Sequence, residues 1–220
     1  MTRKISGFLE IDGLEGIYTA RSGKLNCFAI PLRHGGLCLY SPISGMSGAA
    51  REQLMSRGGV KVLFAPNHYH NKGLQEHADA FPDASLVCSK VAETRLRKVT
   101  GLNFSPLDTL HVQLADGYEV LEPEGLKTGE VWVRIKGSEA AWIVTDAFSA
   151  KLLAPGVYAE TATQLGTFPK YGVEDPQRFK RWTLGLLESS APTRLLPCHG
   201  SPVAAPDLGN QLAGLLDKLF

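Results

Sequence analysis

Three histidines and one aspartate, each placed just past an apolar run, carry most of the chemical capacity of this chain. The run over residues 60–64 leads into Ala65-Pro66-Asn67-His68-Tyr69-His70-Asn71-Lys72-Gly73. In an extended segment residues i and i+2 point to one side, so His68 and His70 are expected to converge on a single point. Paired imidazoles at a strand end are a common start to a metal site. A second unit of the same kind, Arg194-Leu195-Leu196-Pro197-Cys198-His199-Gly200, lies near the other end of the chain. Asp146 follows a third apolar run over residues 141–145. Simpler roles stand beside these: a polar His68/His70 pair bonded to loop carbonyls, and a His199–Asp146 hydrogen bond closing a sheet edge.

The elements that must hold these residues can be read from pattern. Short apolar or alternating runs at residues 16–20, 25–32 and 36–40, separated by Ser22-Gly23 and His34-Gly35-Gly36, predict a β meander. A helix is expected over residues 47–57, ending at Gly58-Gly59. A buried strand at 60–64, a helix at 71–80, a strand at 85–88 and a helix at 90–98 follow. The second half echoes this order. Strands are expected at 118–121, 131–135 and 141–145, and an amphipathic helix at 176–188 with Pro176 in its first turn. A strand at 194–196 and a closing helix at 206–220 complete it. The segment Thr167-Phe168-Pro169-Lys170-Tyr171-Gly172 reads as an ordinary packed loop or a lid.

Composition narrows the partners. The chain has 220 residues, 44% hydrophobic and 20% charged, which suits one globular domain over residues 1–220. Lys+Arg and Asp+Glu nearly cancel, 23 against 22, so nucleic acid is not an expected partner. No apolar run approaches the roughly 20 residues needed to cross a bilayer, so no membrane is expected either. Cys27, Cys38, Cys88 and Cys198 form no CxxC pair, and Met1-Thr2-Arg3-Lys4 does not open a leader. Reduced thiols in the cytoplasm are the expectation. The expected partner is a small-molecule substrate or ligand, with a homodimer allowed.

Taken together, these motifs resemble the metallo-β-lactamase fold superfamily, from about residue 16 to residue 201. The family's HxHxDH lies over His68-Tyr69-His70-Asn71-Lys72-Gly73, and its Gly-His-Thr-Pro-Gly loop over Gly125-Leu126-Lys127-Thr128-Gly129. Its Gly-Asp turn lies over Thr145-Asp146 and its closing Gly-His-Gly over Cys198-His199-Gly200. The resemblance implies an α/β fold, a four-layer αβ/βα sandwich of two mixed sheets with helices on the outer faces. It also implies metal ligands at His68, His70, Asp146 and His199.

The departures are as informative. Lys72 stands at the family's Asp, Gly73 at its next His and Leu126 at its third-site His, so a dinuclear centre is not expected. A charged Lys72 about 4 Å from a divalent ion would be repelled by roughly 8 kcal/mol at an effective dielectric near 20. Lys72 therefore points away or its ammonium stands in for the second metal beside Asp146. One divalent metal, zinc or iron, or none, is the reading. With a metal bound, the implied chemistry is hydrolysis of a small ester, lactone, amide or thioester. Asp146 would then orient water, while Lys72 or Tyr171 would meet the oxyanion or an acidic group. Asn71 would supply a weak oxygen contact, or bond the backbone instead. His77, about 7.5 Å of helical rise from the loop, is poorly placed to join. The alternative is a non-catalytic member of the fold that binds a ligand or partner.

Overall fold

In a computed structural model the described residues are 4–5, 7–137 and 139–220, and they form two compact units, 1–116 and 117–220. The opening residues 1–3, read above for a leader, lie outside the described residues.

The first unit contains β1 (Leu9–Ile11), β2 (Leu14–Ser22), β3 (Leu25–Pro31), β4 (Leu37–Tyr40), α1 (Gly48–Met55), β5 (Val60–Ala65), α2 (Leu74–Ala80), β6 (Ser85–Cys88), α3 (Lys90–Thr100) and α4 (Asp108–His111). Strands β1 to β6 lie side by side in chain order. The first four pair antiparallel, and β4, β5 and β6 pair parallel. The change of direction follows from connection length. Turns at Gly23 (φ 64°) and Gly35 suit hairpins, whereas α1 and α2 supply the crossovers that parallel strands need. β4 is buried throughout and β5 from Val62 to Ala65, so they read as apolar runs rather than alternations, with the exposed Lys61 as the one break. Helix ends follow local chemistry. Ser89 caps α3 by accepting from the Ala92 amide, and Gly101 (φ 72°) ends it in the left-handed region.

The second unit contains β7 (Tyr118–Leu121), β8 (Trp132–Ile135), β9 (Ala141–Val144), β10 (Ser149–Ala150), β11 (Ala162–Thr163), α5 (Phe168–Gly172), α6 (Pro176–Ser190), β12 (Arg194–Pro197), β13 (Val203–Ala204) and α7 (Leu208–Leu219). Its main sheet has the order β13-β12-β9-β8-β7, with only β9 and β12 parallel, and β10 and β11 form a separate ribbon. Trp132 and Trp142 stack at 5.6 Å, and Phe148, Phe179 and Trp182 crowd the Trp132 ring at 5.5–6.2 Å. Trp132 and Trp142 are therefore core, as their apolar-periodic settings suggest, and the partly buried Trp182 packs against them. Segment 167–172, expected as a loop or lid, contains the short helix α5. The small elements β1, α4, β10, β11 and β13 carry too few residues to leave a periodic signal. Both major sheets are mixed and accompanied by helices, in keeping with the expected α/β class.

The four cysteines are buried, and desolvation drives Cys27 and Cys38 far above the ordinary thiol range and Cys88 up to about 12. They are inert core residues. Among the described residues no helix is long and apolar enough to cross a membrane.

His77 is fully buried on α2. Its Nε2 lies 2.9 Å from the Ile43 carbonyl, and its ring stacks on Phe81. Burial pulls its pKa below the ordinary 6.5, outweighing the Ile43 bond and the Glu76 charge, which both act upward. A base whose folded pKa is depressed binds fewer protons folded than unfolded below 6.5, so stability is lost as pH falls through that window. Thermal unfolding between pH 7 and 5 should show a fall in Tm that is smaller in His77→Gln, whose amide can still donate to Ile43. An equal fall in both proteins would assign the acid sensitivity elsewhere.

Candidate metal centre

In the first unit, the segment after β5 does not stay extended. Asn67 accepts hydrogen bonds at Oδ1 from the Tyr69 and His70 amides, at 2.8 and 3.1 Å, and its carbonyl accepts from His70 at 3.3 Å. This Asx turn replaces the strand-like i, i+2 geometry expected for His68 and His70. Asn71 Nδ2 donates to the His68 carbonyl at 3.1 Å, so its amide is spent on the turn. His68 packs edge-on against Tyr69, whose ring also carries Arg95 at 5.2 Å. Lys72 is exposed.

A second loop is clamped onto this one. His70 is buried, and its Nδ1 lies 2.7 Å from Ser41 Oγ at the end of β4. The Glu76 carboxylate accepts from the Gly45 and Met46 amides, both at 2.7 Å, and His77 holds Ile43. Gly73 is packed under the same loop. A Cβ there would stand 2.5 Å from the Ile43 carbonyl carbon and 2.5 Å from the Pro42 oxygen. Backbone thus occupies the space that any side chain at this position would need.

In the second unit, β9 ends at Val144 and hands over to a turn, Thr145-Asp146-Ala147, whose amides converge on one carboxyl. Glu130, fully buried just before β8, accepts from Thr145 N at 3.3 Å, Asp146 N at 3.2 Å and Ala147 N at 3.2 Å. It also accepts from Trp132 Nε1 at 2.7 Å. Burial, and then the Asp146 charge, push its carboxyl well above the ordinary carboxylate range, while these N–H donors pull the other way. Asp146 Oδ1 lies 2.9 Å from His199 Nε2, with both side chains mostly buried. His199 is held by its backbone, since its carbonyl accepts from Ala150 at 3.2 Å. Gly200 (φ 99°) permits that approach, because a Cβ there would meet the Ala150 oxygen at 2.0 Å. Cys198 is a buried filler beside it.

Of the residues expected to act, Asp146 and His199 meet directly. His70 is fixed by a partner that sequence pattern did not name. Tyr171 is half-exposed on α5, with Lys170 Nζ 5.2 Å from its ring centre. Leu126 bridges to Val173 and packs on the second unit's core. Glu130 escaped notice, yet it left a signal. A glutamate stands immediately before the strand run at 131–135, two residues ahead of Trp132, the indole that donates to it. Imidazole and carboxylate are proper donors for zinc or iron, and the Asp146–His199 pair brings two of them within one hydrogen bond.

Two consequences can be measured. Glu130→Ala leaves three backbone amides and an indole N–H unmatched in the interior, at about 1–3 kcal/mol each. It should lower chemical-denaturation stability by at least about 3 kcal/mol, with Glu130→Gln losing less because its Oε1 still accepts; equal, small losses would remove Glu130 from its scaffold role. Gly73→Ala should cost about 3 kcal/mol, the upper end for overpacking against backbone. A Gly73→His protein with undiminished stability would show that the space is not closed.

No protein-family model matches the chain, and no curated protein sequence does. Solved structures do. A metallo-β-lactamase from Erythrobacter litoralis superposes with a TM-score of 0.64 at 10% identity, over 100% of both chains. One from Hirschia baltica gives 0.64 at 12%, over 97% of this chain and 98% of that one. A mutant flavo-diiron protein from Thermotoga maritima gives 0.60 at 14%, over 99% of this chain but 62% of that one. The chain thus spans about three-fifths of the flavo-diiron protein it matches. Identities this low speak to architecture alone, and the architecture is clear: this chain has the metallo-β-lactamase fold.

Proposed function

We propose that this protein is a metal-dependent, hydrolase-like member of the metallo-β-lactamase fold with a single divalent ion, zinc or iron, for which Asp146 and His199 of the second unit are the paired donors. The observation that carries the reading is the mostly buried Asp146–His199 pair, 2.9 Å apart, on a turn fixed through Glu130. Such a pair in a merely structural role would not require so elaborate a support for the aspartate backbone. The closed space above Gly73 and the apolar role of Leu126 support one ion rather than two.

When bound, a divalent ion acidifies water and polarises a carbonyl, which suits an ester, lactone, amide or thioester. The chain's own groups do the rest. Asp146 holds charge and orients the attacking water through its second oxygen. Lys72 or Tyr171, both exposed, would receive an acidic substrate group or the developing oxyanion. A non-catalytic ligand-binding role is the second reading, favoured by the closed space above Gly73, which has displaced one family ligand.

Elemental analysis of purified protein should find about one zinc or iron per chain. Asp146→Ala and His199→Ala should lose it, together with chelator-sensitive turnover of an ester and lactone panel. Equal, near-zero metal in all three proteins would overturn the metal reading. Metal without turnover would favour the ligand-binding one.

A further inference from the structure

Residues 152–157, Leu-Leu-Ala-Pro-Gly-Val, form a loop after β10 in which no side chain carries a charge or a hydrogen-bonding group. Apolar residues exposed singly need no explanation, but a contiguous exposed run points to something that binds there. Leu152 is 41% exposed and Val157 47%, and Ala154, Pro155 and Gly156 between them are exposed as well. Leu153 packs instead against the second unit's core. The loop is preformed. Gly156 (φ 79°) follows Pro155, and the Val157 amide donates to the Ala154 carbonyl at 3.1 Å, which makes residues 154–157 a type II turn.

Both legs of this loop are stitched to the segment that carries His199. On the near leg, the Ala150 amide donates to the His199 carbonyl at 3.2 Å and the Ser201 amide to the Lys151 carbonyl at 3.2 Å. Ser201 Oγ then accepts from the Leu153 amide at 2.9 Å. On the far leg, the Ala159 amide donates to the Pro202 carbonyl at 2.8 Å, and the Ala159 carbonyl accepts from Ala204 at 3.1 Å. The chain enters the loop only a few residues past Asp146. The backbone that presents the paired donors therefore also fixes where the apolar turn stands.

We infer that residues 152–157 are an acyl-binding loop, in which Leu152 and Val157 cover the unbranched apolar arm of an ester, lactone or thioester handled at Asp146 and His199. The inference rests on the hydrolase-like reading above and adds the substrate class, a chain of several methylenes rather than a polar or charged group. Nothing in residues 152–157 could pair a charge or hold a polar head. A preformed loop loses little freedom on binding, and each methylene it covers adds up to about fourfold in affinity. A second copy of the chain fits less well, since a stable protein interface takes roughly 20–30 residues a side and this turn offers a fraction of that.

The test uses the full chain with two probes, the p-nitrophenyl esters of acetate and octanoate, after loading with zinc. Wild-type kcat/KM should be higher for the octanoate ester. In Leu152→Ser/Val157→Ser the octanoate-to-acetate ratio should fall at least about tenfold, chiefly through KM, the loss of two to three covered methylenes. Tm should hold, because both side chains already face water. Val112→Ser, which removes a more exposed apolar side chain from the first unit, should leave the ratio as it is. A second readout needs neither metal nor turnover. In methyl spectra of leucine- and valine-labelled protein, dilute octanoate should shift the Leu152 and Val157 signals saturably, and acetate should not. An equal ratio in wild type and double variant, or methyl signals indifferent to octanoate, would overturn the assignment. So would a wild-type dimer that the double variant abolishes, which would give the loop to a second copy. Zinc-loaded protein that turns over neither ester would sink the hydrolase reading, and octanoate shifts at Leu152 and Val157 in that protein would leave the loop's specificity standing.

Discussion

A carboxyl group taken wholly out of water must be met by donors, and in the second unit Glu130 is met by four. Three are consecutive backbone amides, and that arithmetic runs in both directions. The amides satisfy the carboxyl, and the carboxyl bends residues 145–147 into the one turn in which all three can point at it. Asp146 then projects from a backbone that has almost no freedom, and its oxygen meets His199. Trp132, two residues on from Glu130, supplies the fourth bond and joins this polar knot to the aromatic core. Rigidity at the aspartate thus comes from the interior of the unit.

The first unit solves a related problem with backbone rather than charge. Residues 41–46 are drawn onto residues 70–77 by the Ser41–His70 contact, the Glu76 carboxylate and the His77 imidazole. Gly73 lets the two strands of chain touch. The same contact that orders His70 excludes a side chain at 73, where the fold's dinuclear members carry a ligand.

Much of this was legible from residue order. Strands at 60–64, 85–88, 118–121 and 194–196 and the helix beginning at Pro176 announced themselves through apolar runs and capping residues, each strand within a residue of its observed start and end. Asp146 and His199 stood out because polar, ligand-type residues directly follow buried strands. The His68-x-His70 spacing was legible as a motif but misleading as geometry. Asn67 captures two amides and curls the segment into a turn, a local competition that i, i+2 counting ignores. Glu130 and Ser41 are single common residues whose importance lies wholly in what surrounds them.

Sequence by itself determined the elements, the α/β class and the chemical types available, because periodicity, caps and donor atoms are properties of neighbours along the chain. Which histidine nitrogen is engaged, which carboxyl is buried and which glycine has no room beside it were decided only when distant segments packed. Those are contacts across 29, 16 and 30 residues, and nothing local encodes their distances.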